Sequence, residues 1–519
     1  MSGHVGCFPR RGRFAHFVAP LEAQSPIVQV GRNCWRIEES PRTALLIDGE
    51  DYFSAVRSAL ERARRSVLVL GWDFDPRTVL TPSASPSASV DARLGNLLQR
   101  LTFSRPELEV LILVWDMALP ISALHQGYPQ RARTWFEGRV RFQLDGEHPP
   151  GGCHHQKVVV VDDEIAFCGG TDLACDRWDS REHLDDEPRR RLPSGKPHPP
   201  RHDVMMLVSG AAAAALGDLV RARWLRATGE ILPPASPRLG REPEIWPADV
   251  PVRFRDAQVA IARTEPHWGV QEEVRESLTL YLDAIRAARN CVYLENQYVT
   301  SPQIGSVLAE RLKEPDGPEI VIVCPTSSPS YFDRLAIDEA QRALLAALVR
   351  ADRHHKLRVY TPVTTRGRSI IVHSKLSMID DRLLRVGSTN LNNRSLGFDT
   401  ECDLAIDAFL HQDASRRESA RQDLRAIRAA ILAHHARADA TTVAGLIEEH
   451  GSVVRALDAL ASPSLRQLRA PDLEPQPRAS WIANMHLGDP ESALDAWRPW
   501  KRQPGPTLAP RDDPAEGTT

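Results

Sequence analysis

Apolar and polar positions change period in a regular order along this chain. From Asp51 to Arg65, the residues Phe53, Val56, Ala59, Leu60 and Ala63 recur at helical spacing and predict an amphipathic helix. A continuous apolar run, Val67 to Leu70, ends in Gly71-Trp72-Asp73 and predicts a strand buried on both faces. Leu108 to Trp115, Val140 to Leu144 and Lys157 to Val161 predict three more. The order then recurs, with a helix at Val274 to Arg289 and strands at Cys291 to Leu294, Glu319 to Cys324 and Leu357 to Tyr360. Corresponding elements lie about 211 to 225 residues apart, so the halves read as copies. Helices alternating with buried strands predict an α/β chain, two similar α/β/α-type sandwich units each with a mainly parallel sheet.

Stretches with neither period set the boundaries. Pro233, Pro234, Pro237, Pro243, Pro247 and Pro251 break every pattern between the copies. The expected organisation is a leader at 1–40, a first catalytic unit at 41–235, a second at 252–410, and a helical C-terminal extension with a disordered tail at 411–519. Pro82 to Ser89 predicts a surface loop, and Asp176 to Pro200, dense in charge and proline, a longer excursion.

The last predicted strand of each copy carries the candidate chemistry. His155-Gln156-Lys157 leads into Val158-Val159-Val160-Val161-Asp162, followed by Gly169-Gly170-Thr171-Asp172. His373-Ser374-Lys375 leads into Leu376-Ser377-Met378-Ile379-Asp380, followed by Gly387-Ser388-Thr389-Asn390. Residues two apart on extended backbone point the same way, so each pair sets an imidazole beside a fixed positive charge. The chain has six lysines, and two of them stand in these motifs, which argues against chance. Two half-sites predict one shared active site, with the units packed around a pseudo-twofold axis.

Composition narrows the function. Sixty-five basic residues against 68 acidic leave a net charge of -3, so no global field steers the chain to nucleic acid, and no stable nucleic-acid partner is expected. The eight cysteines show no metal-ligand spacing, which predicts reduced, buried thiols, with no metal and no cofactor. No apolar stretch has the length of a secretory signal or a transmembrane segment, so the expectation is a cytoplasmic protein, peripheral at the membrane if its substrate is there.

The paired motif resembles the signature of the phospholipase D superfamily. Tyr293-Leu294-Glu295-Asn296-Gln297-Tyr298 is similar to a stretch of the eukaryote-type and related bacterial branch, as are Gly71-Trp72-Asp73, Arg201-His202-Asp203-Val204, Arg223-Trp224 and Asn393-Arg394-Ser395. The second copy matches the family pattern in full. In the first, Gly170 replaces the usual Ser and Asp172 the usual Asn. The resemblance covers roughly residues 40 to 410 and implies His155 as nucleophile and His373 as acid/base.

Elementary chemistry asks for the same residue types. A phosphodiester anion repels nucleophiles, so cleavage needs cations on its oxygens, a nucleophile, and an acid for the leaving alcohol. Lys157 and Lys375 supply charge and Asn390 supplies donors, while Asp172, Ser388, Glu295, Asn296 and Gln297 are candidate substrate-binding residues. Each histidine also needs a carboxylate on its second nitrogen. The expected partners are Glu401 for His373 and Asp203 for His155, each within its own unit. Asp162 and Asp380 read as structural hydrogen-bonding residues, Trp72 and Trp115 equally as pocket lining or core, and His354-His355 and His434-His435 as surface pairs.

The expected activity is phospholipid headgroup cleavage to phosphatidic acid and alcohol through a phosphohistidine, with transphosphatidylation as its variant. The expected partner is a phospholipid at a membrane surface, and the expected state a monomer, since one chain carries both half-sites. A cardiolipin-synthase-like phosphatidyltransferase is the nearest alternative. A nuclease and a non-catalytic lipid- or phosphate-binding protein are the others.

Overall fold

The computed structural model describes residues 25–83, 92–117, 130–136, 138–236, 244–325, 327, 337–460, 468–471 and 488–497. The expected leader up to residue 24, most of the Pro82–Ser89 loop and the expected disordered tail lie outside them.

The first copy supplies strands β1 (Arg36–Ile47), β2 (Ser66–Gly71), β3 (Glu109–Trp115), β4 (Val140–Asp145), β5 (Val158–Val161), β6 (Ile165–Gly169), β7 (Arg201–His202) and β8 (Val204–Ser209). The second supplies β9 (Phe254–Glu265), β10 (Val274–Arg275), β11 (Cys291–Glu295), β12 (Glu319–Val323), β13 (Leu357–Pro362), β14 (Ile371–Val372), β15 (Leu376–Ile379), β16 (Leu383–Gly387) and β17 (Glu401–Asp407). All but β7 and β14 join one sheet, whose order through the two copies is β13-β12-β11-β15-β16-β17-β9-β1-β8-β6-β5-β2-β3-β4. Read outward from the β9/β1 pair, the two halves match strand for strand. Arg36 faces Ile261 and Thr43 faces Phe254 across that antiparallel seam.

The two-unit α/β architecture is as expected, but the sheets are mixed rather than mainly parallel. Within the large sheet, among the described residues, only β2-β3-β4 and β11-β12-β13 pair in parallel. From β2 and β11 toward the seam every neighbour is antiparallel. The reason is local. Val161 pairs with Ile165, and Ile379 with Leu383, so each motif strand folds straight back as a hairpin, which forces antiparallel pairing.

Asp162 and Asp380 make those hairpins. Both take left-handed backbone, φ 53° in each. Asp162 accepts from the amides of Arg64, Arg65 and Ser66, and Asp380 from those of Arg289, Asn290 and Cys291. They therefore tie each hairpin to the start of its neighbouring strand, the structural role read from the sequence.

Helices cover both faces of the sheet. One apolar cluster runs under both copies and packs helices Ala211–Thr228 and Ala414–Ala436. The opposite face divides in two, with helix Asp48–Arg62 in one cluster and Glu276–Ala287 in the other. Helix Ala414–Ala436 follows β17 as Ala211–Thr228 follows β8, so the first helix after residue 410 occupies a repeated position. Residues 25–35 are packed rather than loose, with the Ile27 amide bound to Asp407 and Asn33 and Arg32 bound to Asp283. The seven described cysteines are free, and all but Cys175 are buried. Among the described residues, no helix is long and apolar enough to cross a membrane.

Candidate active site

The backbone of each histidine motif bonds to a segment of the other unit. The His155 amide donates to the Thr400 carbonyl at 2.9 Å, and the His373 amide to the His202 carbonyl at 2.8 Å. The second contact continues as a short parallel ladder in which β14 pairs β7. Each histidine thus runs alongside the carboxylate-bearing segment of the other unit.

The orienting pairs are therefore the reverse of those expected. His155 Nδ1 lies 3.0 Å from both Glu401 oxygens, and His373 Nδ1 lies 2.8 Å from Asp203 Oδ2. The expectation took Glu401, in the strand after the Gly-Ser-Thr-Asn turn, for His373 and Asp203, in the equivalent strand, for His155; the packing of the units brings each carboxylate to the other unit's histidine instead. A proton on Nδ1 donated to the carboxylate leaves the Nε2 lone pair for chemistry. Burial pushes the pKa of each imidazole well below its usual value, reinforced by Lys157 and Lys375 at His155 and by Lys375, Arg201, Arg177 and Lys157 at His373. Burial likewise raises Asp203 and raises Glu401 strongly. The His155 side chain keeps 15% of its surface exposed, against 9% for His373.

The departures in the first copy have a steric and a charge rationale. Ser388 donates to Glu401 at 2.5 Å, whereas a Cβ on Gly170 would stand 2.2 Å from Asp203 Oδ1. Ser with Glu and Gly with Asp are thus matched solutions to one space. Lys157 reaches Asp172 at 3.4 Å, while Lys375 meets the neutral Gln297 at 3.3 Å. Both ammonium groups also donate to their own histidine's carbonyl. Burial lowers the Lys375 pKa to about 7.

Other expected site residues divide into two kinds. Asn390 is buried and its Oδ1 has no hydrogen-bond partner among the described residues, which leaves it an unspent polar atom at the site. Asp172 is a backbone clamp as well as an ion partner, because its Oδ1 accepts from the amides of Trp72 and Asp73. Asn296 clamps the second copy the opposite way, accepting from Leu391 and Tyr298. Glu295 is enclosed by His202, Ser374, Tyr293 and His435, at 2.6 to 2.9 Å. It steadies the motif from behind.

Sequence reasoning missed two arginines and a histidine cluster. Arg177, from the charged excursion, and Arg201 both bear on His373, and both keep buried guanidinium nitrogens without hydrogen-bond partners among the described residues. Buried guanidinium nitrogens with spare donors are suited to receive an anion. Arg201 stood in a recognised landmark; Arg177 carried no periodic signal. His434-His435, expected at the surface, instead packs against His202, while His354-His355 is exposed as expected. Trp72 and Trp115 stack 5.6 Å apart in a small cluster with Met117 and Cys153. A cavity of about 350 Å³ is lined by His154, Thr400, Glu265, Trp268 and Val270, and neither His155 nor Glu401 is part of its lining.

Two family models match, one described as "Phospholipase D" over residues 59–308 and one as "Cardiolipin synthase, PLD-like domain" over 281–416. Among curated relatives, Phospholipase D A of Dictyostelium discoideum is 26% identical over 70% of this chain and 32% of its own length. Phospholipase D alpha 1 of Nicotiana tabacum is 23% identical over 74% of this chain and 63% of its own, and Phospholipase D2 of Bos taurus 22% identical over 69% and 48%. The chain thus spans less than two thirds of each of these relatives. A phosphatidylserine synthase structure from Haemophilus influenzae is 13% identical, with a TM-score of 0.48, covering 74% of this chain and 86% of that one.

Proposed function

The chain belongs to the phospholipase D superfamily, and on that premise we propose that it cleaves phospholipid headgroups through a phosphohistidine. The observation that carries the reading is the crossed pair of histidine–carboxylate contacts at 3.0 and 2.8 Å. With the Nδ1 proton donated to the carboxylate, each imidazole would present Nε2, which supports one composite site.

Lys157, Lys375, Arg177 and Arg201 receive the phosphodiester oxygens. His155, the more exposed imidazole, attacks phosphorus through Nε2; a P–N bond forms as the P–O bond to the headgroup breaks. His373 gives its Nε2 proton to the departing alkoxide, the bound anion having raised its proton affinity. Water then enters, His373 takes its proton, and the oxygen attacks phosphorus, so the P–N bond breaks and phosphatidic acid leaves. An alcohol in place of water yields transphosphatidylation by the same steps. No residue role here requires a metal or cofactor.

The catalytic units are taken as 41–235 and 252–410, and because each completes the other a monomer suffices. Trp268 and Val270, 39% and 104% exposed beside the cavity, support approach from a lipid surface. A second reading, transfer to a lipid alcohol, is favoured by the cardiolipin-synthase-type match over the second copy. Phosphatidylcholine vesicles with ethanol test the proposal: phosphatidylethanol and choline are expected, with His155→Ala and His373→Ala inactive. Turnover in either variant would sink the shared-site mechanism. Diphosphatidyl products from phosphatidylglycerol vesicles would favour the second reading.

A further inference from the structure

Behind the catalytic histidines lies a second constellation that the mechanism does not use. Asp48, His183, His202 and His434 each bring a ligand-type atom within 4.8 Å of the others. They come from distant parts of the chain: the start of helix Asp48–Arg62, the charged excursion, strand β7, and helix Ala414–Ala436.

Three ligand-type atoms converge inside this group. His183 Nε2 and His434 Nε2 lie 3.4 and 3.2 Å from the same oxygen, Asp48 Oδ2, and 3.3 Å from each other. That oxygen is buried, yet has no hydrogen bond of acceptable geometry among the described residues. Two imidazole N–H groups aimed at it would crowd their protons together, two bare nitrogens would repel it, and one of each makes the His183–His434 hydrogen bond but still leaves Asp48 Oδ2 without a well-aimed donor. A tetrahedral ion with bonds of about 2.0–2.1 Å separates its ligand atoms by about 3.3 Å, the edge of this triangle.

The surroundings fit the same reading. His183 Nδ1 lies 3.0 Å from Asp179 Oδ2, the carboxylate–histidine relay that orients metal ligands. The other Asp48 oxygen is held by His202 Nδ1 at 2.8 Å, and His202 Nε2 is held by Glu295 at 2.9 Å. His202 is thereby spent on supporting Asp48. Asp48 itself is a non-glycine residue at φ 67°, buried, in left-handed backbone that needs a compensating interaction.

We propose that Asp48, His183 and His434 form a site for a divalent transition-metal ion of the zinc class, with solvent as fourth ligand. The ion ties the excursion and helix Ala414–Ala436 to the segment that orients His373. The Asp48 amide donates to the Asp203 carbonyl at 2.8 Å, and the His202 carbonyl accepts the His373 amide. The ion is a brace; the phosphoryl chemistry runs without it.

The test uses the full-length protein and reads metal directly. Protein purified without chelator should hold about one equivalent of zinc by mass spectrometry, and cells grown with Co²⁺ should yield protein with the visible bands of four-coordinate Co²⁺. His434→Gln should abolish those bands and weaken Co²⁺ binding by about 10²-fold or more. His183→Asn should do the same and serves if the first variant does not fold. Metal-free wild-type protein that gives no Co²⁺ bands overturns the site, as does a folded variant binding Co²⁺ like wild type. Neither readout depends on turnover, so an inactive but metal-binding protein would refute the proposed function and leave the site standing.

Discussion

Glu401→Gln isolates one contact of the crossed arrangement. Glu401 is fully buried, and its carboxylate faces His155 Nδ1 at 3.0 Å while accepting the Ser388 hydroxyl at 2.5 Å. Glutamine keeps the volume but turns one acceptor into a donor. If the amide nitrogen faces His155, the imidazole must accept at Nδ1 and carry its proton on Nε2, which removes the nucleophile's lone pair. If it faces Ser388, the hydroxyl still donates to the Cys402 carbonyl at 3.3 Å, and His155 keeps an amide oxygen as its acceptor. The wrong tautomer in a comparable serine-protease relay costs about 10⁴-fold, so with the amide nitrogen toward His155 a loss of about that size in kcat is predicted, ~5 kcal/mol of barrier.

Two measurements apply. Rapid quench with phosphatidylcholine should show phosphoenzyme formation slowed and its breakdown little changed. Imidazole nitrogen NMR should show the His155 ring shifted and the His373 ring unmoved, with Asp203→Asn giving the converse. A folded Glu401→Gln enzyme with wild-type turnover, or one whose His373 signal moves instead, would refute the crossed assignment.

Other consequences can be measured on the same protein. Lys375 must be protonated to bind phosphate, and its pKa near 7 means kcat/KM should fall as pH rises through about 7, whereas protonation of His155 limits activity only well below 6.5; an alkaline limb beyond pH 9 would contradict this. Gly170→Ser, although it restores the family's usual residue, should destabilise by roughly 1–3 kcal/mol in urea unfolding and lower activity, because the new Cβ meets Asp203 at 2.2 Å; a neutral or stabilising result would refute the matched-pair explanation. Arg177→Gln should raise KM for anionic diesters more than it lowers kcat, and a fall in kcat with KM unchanged would point to a role in the transition state alone. Trp268→Ser with Val270→Ser should reduce turnover on vesicles several-fold and leave a short-chain soluble substrate unaffected; loss on both would place these residues in the site rather than at the lipid surface.

Much of the site was legible because chemistry there depends on short local spacing. His155-Gln156-Lys157 and His373-Ser374-Lys375 show their geometry in two residues, and the buried runs of β2, β3, β11 and β12 show theirs in five or so. What stayed hidden depends on chain paths. Nothing local distinguishes Asp203 from Glu401 as the partner of His155; that choice is made by the packing of the units. The antiparallel half of each sheet was obscured because β5 and β6 are as apolar as parallel strands, so burial on both faces erased the alternation that marks a hairpin. His434 and His435 sit in a polar-looking stretch of helix, and only the fold shows that their face turns inward to Asp48 and Glu295.

The crossing between the units also bears on inheritance. In most duplicated proteins either copy can drift while the other carries the load. Here a change at Glu401 disarms the histidine of the other copy, and a change at Asp203 does the same in return. Selection therefore sees the two halves as one locus. Cut between residues 236 and 244, the halves should be individually inert and regain activity only on reassembly, since neither contains a complete relay of its own.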